Sequence, residues 1–241
     1  MDLIAGRSIP YQDFDPELSA RLREMMSMKT DEHMMICLPD VFTGLERYSI
    51  DAQNFWKAHL QHHLADYLEI CRSTWYGSTF ISRPYIDLED KTPSAGYFAK
   101  LKKLWQDKDL LIVEGLTSRS GVGNDLFDGA RSIKRIICPS RNAYSKLEVI
   151  KQAVREHVDN RLILTMLGPT AKVLVYDLVQ EGYRALDIGH IDSEYEWFQM
   201  RASHKIKLSH KHTAEHNFDQ DIEFRDDQAY DSQIVANLAQ E

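Results

Sequence analysis

The sequence of 241 residues has few cysteines, no long apolar run and no excess of positive charge. Its three cysteines, Cys37, Cys71 and Cys138, form no CxxC pair, so neither a disulfide framework nor a thiolate zinc site is indicated. No apolar run approaches the roughly 20 residues that a membrane-spanning helix needs, and residues 1–12 lack the charged and then apolar layout of a signal peptide. We therefore expect reduced cysteines and a cytoplasmic protein without an integral membrane segment.

The formal net charge is −8, with 29 Lys and Arg residues against 37 Asp and Glu residues. An acidic protein is a poor nonspecific surface for nucleic acid or for an anionic membrane, although a local basic cleft could still hold phosphate groups. We therefore expect no nucleic-acid partner. A chain of this length can bury one substantial core, which predicts a single domain. The sequence leaves self-association open.

Three histidines lie at helical spacing in the amino-terminal half, at His59, His62 and His63. Residues separated by three and four positions share one helix face, so this set could chelate a metal. The pattern lacks a fourth ligand, and a solvated helix face is therefore the preferred interpretation.

From residue 94 onward, predicted helices and strands alternate regularly. The predicted strands are 109–114, 134–138, 161–167 and 184–188, and the predicted helices are 95–105, 124–131, 143–157 and 170–181. The strands are almost continuously apolar, as expected of parallel strands that are covered on both faces. The fold class is therefore α/β, with an open, doubly wound and mostly parallel Rossmann-like sheet, whose ligands gather beyond the carboxyl ends of the strands.

The stretch 185–198, ALDIGHIDSEYEWF, combines a buried strand with a cluster of acids. Asp192 and Glu194 follow the strand one residue apart, and in an extended or turn-like segment such side chains project to the same side. Oxygen ligands of this kind suit Mg²⁺ or Mn²⁺ rather than zinc. The alternative is structural, because Asp192 and Ser193 could cap a helix that runs through Tyr195.

Loops with glycine and polar residues follow the other predicted strands. In the first of them, Gly121 and Gly123 permit close approach of the backbone, and Asn124 can cap the following helix. The pattern matches neither the Walker motif nor GxGxxG, so by itself it is a weak phosphate signal. The loop after the second strand presents Ser140 as a polar group for a ligand.

The loop after the third strand places Gly168, Thr170 and Lys172 at a helix start, where a diphosphate could dock. A lysine is electrostatically unfavourable beside the positive end of a helix, so an anionic partner is favoured over a solvent-facing side chain. Arg83 ends a further strand-like segment and is either an anion ligand or a structural pin for its loop. Together with the carboxylate pair, these groups predict a metal-dependent enzyme that acts on a nucleotide diphosphate compound.

Several longer segments carry a family resemblance. They are FISRPY, VEGLTSRSGVGNDLF, IKRIICPSRNAYSK, LTMLGPTAKVLVYDL and DIGHIDSEYEWF, with KHTAE beyond them. In this order they closely resemble the GT-D class of bacterial glycosyltransferases, a family first catalogued as a domain of unknown function. The resemblance implies a single α/β domain that binds a UDP-sugar, with UDP-glucose as the expected donor. It also implies a divalent metal, Mn²⁺ or Mg²⁺, and a glycan or glycopeptide acceptor on bacterial surface adhesins or in surface polysaccharide assembly.

The resemblance also assigns expected roles to residues of this chain. Asp192 and Glu194 would contact the metal or the sugar, and His190 and Glu196 are candidates for activation of the acceptor. The nucleotide would be bound by the loop residues Gly121, Gly123, Asn124, Ser140, Gly168 and Thr170, with Arg83, Arg119 and Lys172 neutralising phosphate charge.

In the family pattern, a first strand ending in R-[FY]-G-D-G-E stands immediately ahead of the position of Met1. That motif is also a D-x-E, so the role given to Asp192 and Glu194 could belong partly to it. We therefore expect a domain at 1–208 that lacks its first strand, followed by a polar, acidic tail or flap at 209–241. Two alternatives to a glycosyltransferase remain, which are another nucleotide-dependent transferase and an inactive binding relative.

Overall fold

The computed structural model describes residues 1–216, 221–224 and 226–239. Its strands are β1 (Cys37–Leu38), β2 (Gly77–Ser78), β3 (Asp109–Gly115), β4 (Ser132–Cys138), β5 (Leu162–Met166), β6 (Ala185–Asp187) and β7 (Ile234–Asn237). Its helices are α1 (Pro16–Ser27), α2 (Ile50–Ile70), α3 (Ser94–Trp105), α4 (Leu147–His157), α5 (Gly168–Gln180), α6 (Ile191–Gln199) and α7 (Gln228–Gln233). Short 3-10 helices lie at Thr79–Ser82 and Ala143–Lys146.

Among the described residues, five strands form one parallel sheet in the order β6-β5-β3-β4-β7, and β1 pairs with β2 separately. The central strand β3 has neighbours on both sides, since Leu110 is in register with Ile133 of β4 and Leu162 of β5. The predicted α/β class with an open parallel sheet is confirmed.

Side chains of β3 alternate between two cores, as the period of two residues in a strand requires. Leu111 and Val113 face a core that includes residues of α1, α4 and α5. Leu110 and Ile112 face the opposite core, which includes residues of α3 and α6. Both faces of the sheet are therefore covered by helices, and this explains why the central strands are apolar at every position.

The start of α1 follows from its local sequence. Asp15 accepts a hydrogen bond from the amide of Leu18, and Pro16 occupies a position where no amide donor is needed. Leu18 and Leu22 are buried against the sheet core. The helix is tied to α5 by an ion pair between Arg21 and Asp177.

The predicted helix at 124–131 is wrong, because this segment is a series of turns. The side chain of Asn124 accepts a hydrogen bond from the amide of Leu126, two residues on, which favours a turn over a helix. Gly121 and Gly123 both have positive φ, so the chain enters this segment in a conformation that a helix does not use.

The carboxyl-terminal residues complete the main sheet, where the sequence predicted a polar tail or flap beyond a domain at 1–208. β7 pairs in parallel with β4, and Arg135 is in register with Ile234. Residues Ile234–Asn237 therefore form an edge strand of the sheet, and Val235 and Ala236 pack partly buried against its core. Residues 217–220, 225 and 240–241 of the predicted tail lie outside the described residues.

Within the described ranges, no helix combines the length and apolar character that crossing a membrane would require.

Candidate active site

The loops that follow β3, β4, β5 and β6 meet at one edge of the sheet, because all these strands are parallel. Two groups of charged side chains lie there. The first, which we name the Lys211 network, consists of Gly121, Asn124, Asp192, Glu196 and Lys211. It joins the loop after β3 to α6 and to the segment beyond α6.

Asp192 is fully engaged in the Lys211 network. Its Oδ1 accepts hydrogen bonds from the amide of Gly121 at 2.8 Å and from Nδ2 of Asn124 at 3.0 Å. Its Oδ2 accepts from Nζ of Lys211 at 2.8 Å. Asp192 is therefore a buried hydrogen-bond acceptor. It fixes the backbone of the loop after β3 that contains Gly121 and Gly123, which we name the glycine loop.

Lys211 is fully buried, and its ammonium group donates to three groups within the part of the chain that the structure describes. Nζ donates to Asp192, to Oε1 of Glu196 at 3.0 Å and to the carbonyl of Val122 at 2.8 Å. Burial works to lower the pKa of Lys211, but Asp192 and Glu196 outweigh burial and raise the pKa above its usual value. The lysine therefore stays charged between its two carboxylates.

Glu194 points to a different part of the protein. Its Oε2 accepts hydrogen bonds from the amides of Tyr85 and Ile86, at 3.1 and 3.0 Å. Residues two positions apart on a helix do not face each other, and Asp192 and Glu194 both lie in the first turn of α6. The premise of an extended segment with converging carboxylates is therefore wrong. The alternative of a helix through Tyr195 is confirmed, but Asp192 and Ser193 do not cap it, because the helix begins at Ile191 after His190.

The predicted pair does not fit a shared metal ion. Both oxygens of Asp192 already accept hydrogen bonds, one of them from an ammonium group, and only Oε1 of Glu194 has no partner. In the part of the chain that the structure describes, no group of three or more His, Cys, Asp or Glu side chains is arranged to hold a metal ion. Metal dependence itself stays a prediction.

The second group, which we name the Arg83 cluster, consists of Arg83, Asp87, Lys205 and Glu215. Nη1 of Arg83 lies 3.4 Å from Oε1 of Glu215 and 3.7 Å from Oδ2 of Asp87. Nζ of Lys205 lies 3.3 Å from Oε1 of Glu215 and 3.4 Å from Oδ1 of Asp87. Each cation thus contacts both carboxylates, so Arg83 pins its loop to the segment beyond α6.

Protonation in the Arg83 cluster follows from its charges. Burial works to raise the pKa of Glu215, but the surrounding positive charges, including Arg83 and Lys205, hold the pKa well below its usual range. Burial lowers the pKa of the nearby His190, and repulsion from Arg83 adds to this effect. Near neutral pH, Glu215 is therefore ionised and His190 is neutral.

The amino terminus of α5 lies directly beyond β5, where the sequence predicted diphosphate binding. Gly168 has φ of +54° and a Cβ there would lie 3.2 Å from the ring of Tyr11, so the chain turns tightly at this point. Thr170 is fully buried and its hydroxyl has no hydrogen-bond partner among the described residues. Lys172 is half exposed and forms an ion pair with Asp187 at 3.2 Å, so its anionic partner is a carboxylate of the same chain.

The loops after β3 and β4 are joined by hydroxyl groups. Oγ of Ser140 lies 2.8 Å from Oγ1 of Thr117 and accepts from the amide of Thr117 at 3.2 Å. The carbonyl of Thr117 in turn accepts from the amide of His212 at 2.7 Å. Ser140 therefore lies at the carboxyl edge as predicted, and Thr117 links it to the segment that carries Lys211 and Glu215.

Arg119 lies in the loop after β3, two residues before Gly121. It is buried, has φ of +43°, and places its guanidinium 4.6 Å from the ring centroid of Tyr230. Glu114, at the end of β3, accepts hydrogen bonds from the amide of Ser120, from Arg135 and from the hydroxyl of Tyr230. Arg119 therefore packs against α7.

Sequence reasoning missed several residues that build these sites. They are Glu114, Arg135 and Tyr230, which contact one another next to the loop after β3, and Asp87 and Lys205 of the Arg83 cluster. A single signal was present, because a charged residue in an otherwise apolar strand, such as Glu114 in LLIVE, indicates a buried polar partner. The identity of that partner requires the tertiary structure.

The predicted solvated face of histidines is wrong for His63. This side chain is buried, and its Nδ1 lies 3.0 Å from Oδ2 of Asp66. Burial lowers the pKa of His59 to about 4, so this histidine is neutral near pH 7. We therefore assign His59 and His63 to the packing of α2 and not to a metal site.

Comparison with known proteins agrees with this architecture. Residues 1–216 match the family model described as glycosyltransferase GT-D fold. The chain belongs to this family of glycosyltransferases.

Two curated relatives are similar along nearly the whole chain. A probable glycosyl transferase named Gly from Streptococcus gordonii is 93% identical over 241 residues, which are 100% of this chain and 35% of the relative. The glycosyltransferase GlyD of Streptococcus pneumoniae serotype 4 is 58% identical over 238 residues, which are 99% of this chain and 29% of the relative. The chain thus spans about a third of the length of these relatives.

Solved structures are similar in fold and in sequence. A structure described as a new glycosyltransferase (DUF1792) from Streptococcus sanguinis has 90% identity and a TM-score of 0.98, covering 99% of this chain and 89% of that chain. A second is described as a highly conserved domain of unknown function 1792 with a distinct glycosyltransferase fold. It has 56% identity and a TM-score of 0.97, covering 98% of this chain and 86% of that chain.

Proposed function

We propose that this chain transfers a hexose, with glucose as the expected sugar, from a UDP-sugar to a glycan or glycopeptide acceptor. The observation that carries the proposal is membership of the GT-D glycosyltransferase family along residues 1–216. The polar and charged groups at the carboxyl edge of the parallel sheet support it, since ligands of such sheets bind at this edge.

The diphosphate of the donor fits the start of α5. The first amides of a helix have no partners within the helix, and the positive end of the helix dipole favours an anion. The buried hydroxyl of Thr170 adds a donor at the same turn, and the half-exposed ammonium of Lys172 lies in that first turn. These groups bind and orient the diphosphate in our proposal.

Activation of the acceptor is proposed for a group close to the Arg83 cluster. Of the predicted candidates, Glu196 already accepts from Lys211 and Asn124 through Oε1, so it mainly holds the Lys211 network. His190 is the remaining candidate and is neutral near pH 7, but burial and Arg83 lower its pKa to about 3, so it is a weak proton acceptor that needs a neighbouring carboxylate such as Glu215 to stabilise its positive charge.

A divalent cation, Mn²⁺ or Mg²⁺, belongs to the proposal through the family resemblance alone. When bound, such an ion supplies positive charge to the departing diphosphate. Asp192 and Glu194 are not assigned as its shared ligands, because their carboxylates face different partners.

The proposal is tested by incubating the protein with UDP-glucose, other UDP-sugars and UTP, each with Mn²⁺, with Mg²⁺ or with a chelator. We expect release of UDP from UDP-glucose, faster than from the other UDP-sugars and dependent on the added cation. Release of pyrophosphate from UTP would instead favour a nucleotidyltransferase. Absence of UDP binding and of UDP release from every UDP-sugar would favour an inactive relative.

A further inference from the structure

The Arg83 cluster has balanced charge, and this decides what it can bind. Its two cations are shared between two carboxylates, Asp87 and Glu215, with all four contacts between 3.3 and 3.7 Å. A phosphate group placed here would face both carboxylates as well as the cations, and like charges at such distances repel. The cluster is therefore poorly suited to the phosphate role that the sequence predicted for Arg83.

Two buried carboxylate oxygens at this place have no hydrogen-bond partner. They are Oε2 of Glu215 and Oε1 of Glu194, and among the described residues they are the only carboxylate oxygens of which this is true. Glu194 is completely buried, and the amides that its other oxygen accepts from belong to Tyr85 and Ile86, between Arg83 and Asp87. A buried acceptor without a donor is costly, so a ligand that supplies donors is expected here.

A ligand rich in hydroxyl groups meets all of these conditions. A hydroxyl donates one hydrogen bond to a carboxylate and accepts others from a guanidinium or an ammonium group, so it matches alternating acidic and basic side chains. It carries no charge, so neither the carboxylates nor the cations repel it. In a glycosyltransferase the ligand of this chemistry is a sugar.

We propose that the Arg83 cluster is a hexose-binding subsite, in which Oε2 of Glu215 accepts a hydrogen bond from a sugar hydroxyl. Arg83 and Lys205 hold the carboxylate of Glu215 in place through its other oxygen. This inference rests on the proposed function and reassigns Arg83 from the diphosphate to the sugar. The hexose is the donor sugar or the acceptor sugar, and the two have the same hydroxyl chemistry.

Glu215→Gln tests the inference, because the amide keeps the size of the side chain and one oxygen but replaces the accepting Oε2 by a donor. Three affinities are measured for the wild-type protein and the variant: UDP and UDP-glucose by calorimetry, and methyl glucoside by ligand-observed NMR with UDP present. We expect unchanged affinity for UDP and a loss of roughly tenfold to a hundredfold for one sugar ligand. A loss for UDP-glucose identifies the donor sugar, and a loss for methyl glucoside alone identifies the acceptor sugar.

Glu181→Gln is the matched control, since Glu181 forms an ion pair with Arg155 elsewhere on the chain, at 2.6 Å. Glu215→Asp is a second variant that keeps the charge and shortens the reach, and it should also weaken the same sugar ligand. Unchanged affinity for both sugar ligands in Glu215→Gln would overturn the inference while leaving the proposed function intact. An equal loss of affinity for UDP and for UDP-glucose would overturn the inference and indicate that the Arg83 cluster binds phosphate. If the wild-type protein binds neither UDP nor a sugar, the proposed function itself fails.

Discussion

Nζ of Lys211 lies 2.8 Å from Oδ2 of Asp192, so a lysine of the same chain neutralises the carboxylate for which the sequence predicted a metal ion. The contact joins the segment beyond α6 to its first turn and, through the amide of Gly121, to the loop after β3. A cation supplied by the fold is always present, whereas a bound metal depends on its concentration. The geometry of the glycine loop is therefore fixed by folding.

Lys211→Met should destabilise the protein strongly. The substitution leaves the buried carboxylates of Asp192 and Glu196 without their cation, and breaking a buried pair from one side costs about 3–5 kcal/mol. Chemical denaturation measures this as a lower free energy of unfolding. Lys207→Met is the matched control, because Lys207 is exposed and its ion pair among the described residues is with the exposed Asp221, at 3.6 Å. Equal stability of the two variants would contradict the role of Lys211.

Gly121→Ala should cost more stability than the same substitution at Gly182. Both glycines have φ above +80°, which costs an alanine about 1–2 kcal/mol. A Cβ at Gly121 would also lie 2.7 Å from the ring of Phe127, whereas a Cβ at Gly182 meets nothing within 4 Å. The difference between the free energies of unfolding of the two variants therefore measures the contact with Phe127. A difference near zero would show that the ring moves aside freely.

Tyr230→Phe should make the loop after β3 less rigid, because Tyr230 contacts Glu114, which in turn binds the backbone of that loop. The hydroxyl of Tyr230 donates to Oε1 of Glu114 at 3.1 Å, and Oε2 of Glu114 holds the amide of Ser120 at 2.8 Å. A hydrogen bond to a charged group contributes about 1.5–3 kcal/mol. We expect lower stability, together with faster hydrogen exchange in a peptide that contains Ser120.

Tyr76→Phe is the control for this prediction, because the hydroxyl of Tyr76 accepts from the amide of Ser73 at 2.8 Å, away from Glu114. It should lower stability without changing exchange at Ser120. If Tyr230→Phe leaves this exchange unchanged as well, α7 does not position the loop.

The parallel sheet was predictable because strands that are buried on both faces are apolar at nearly every position. Leu110, Leu111, Ile112 and Val113 are all fully buried, and such a run has few other interpretations. The sequence of β7 carries no such signal, since three of its residues are only partly buried, the fourth, Asn237, is exposed, and the strand follows a polar segment. Their place in the sheet depends on pairing with β4, nearly a hundred residues earlier in the chain.

The candidate site was predicted less well, because partners of charged residues are set by tertiary contacts. The sequence predicted correctly that Asp192, Ser140 and Thr170 follow sheet strands at one edge. It could not show that Lys211 would be the partner of Asp192, since a lysine in a polar segment is normally solvated. It also could not show that Asp192 and Glu194 would face apart, because this depends on whether their segment is helical.

Asp177→Asn should lower the stability of the protein at neutral pH and make its stability less dependent on acid pH. Burial works to raise the pKa of Asp177, but Arg21 and Lys151 outweigh burial and lower the pKa below the ordinary value of 3.8. Because the pKa is lower in the folded state, the stabilisation is fully present above the ordinary value and is lost as the pH falls through the folded value. We expect the variant to be less stable at pH 7, by on the order of 1–3 kcal/mol, and the difference to shrink below about pH 4. Unfolding by urea across this pH range measures it, with the exposed Asp128→Asn as control. A difference that stays constant down to pH 2 would show that the charge of Asp177 is not what stabilises the contact between α1 and α5.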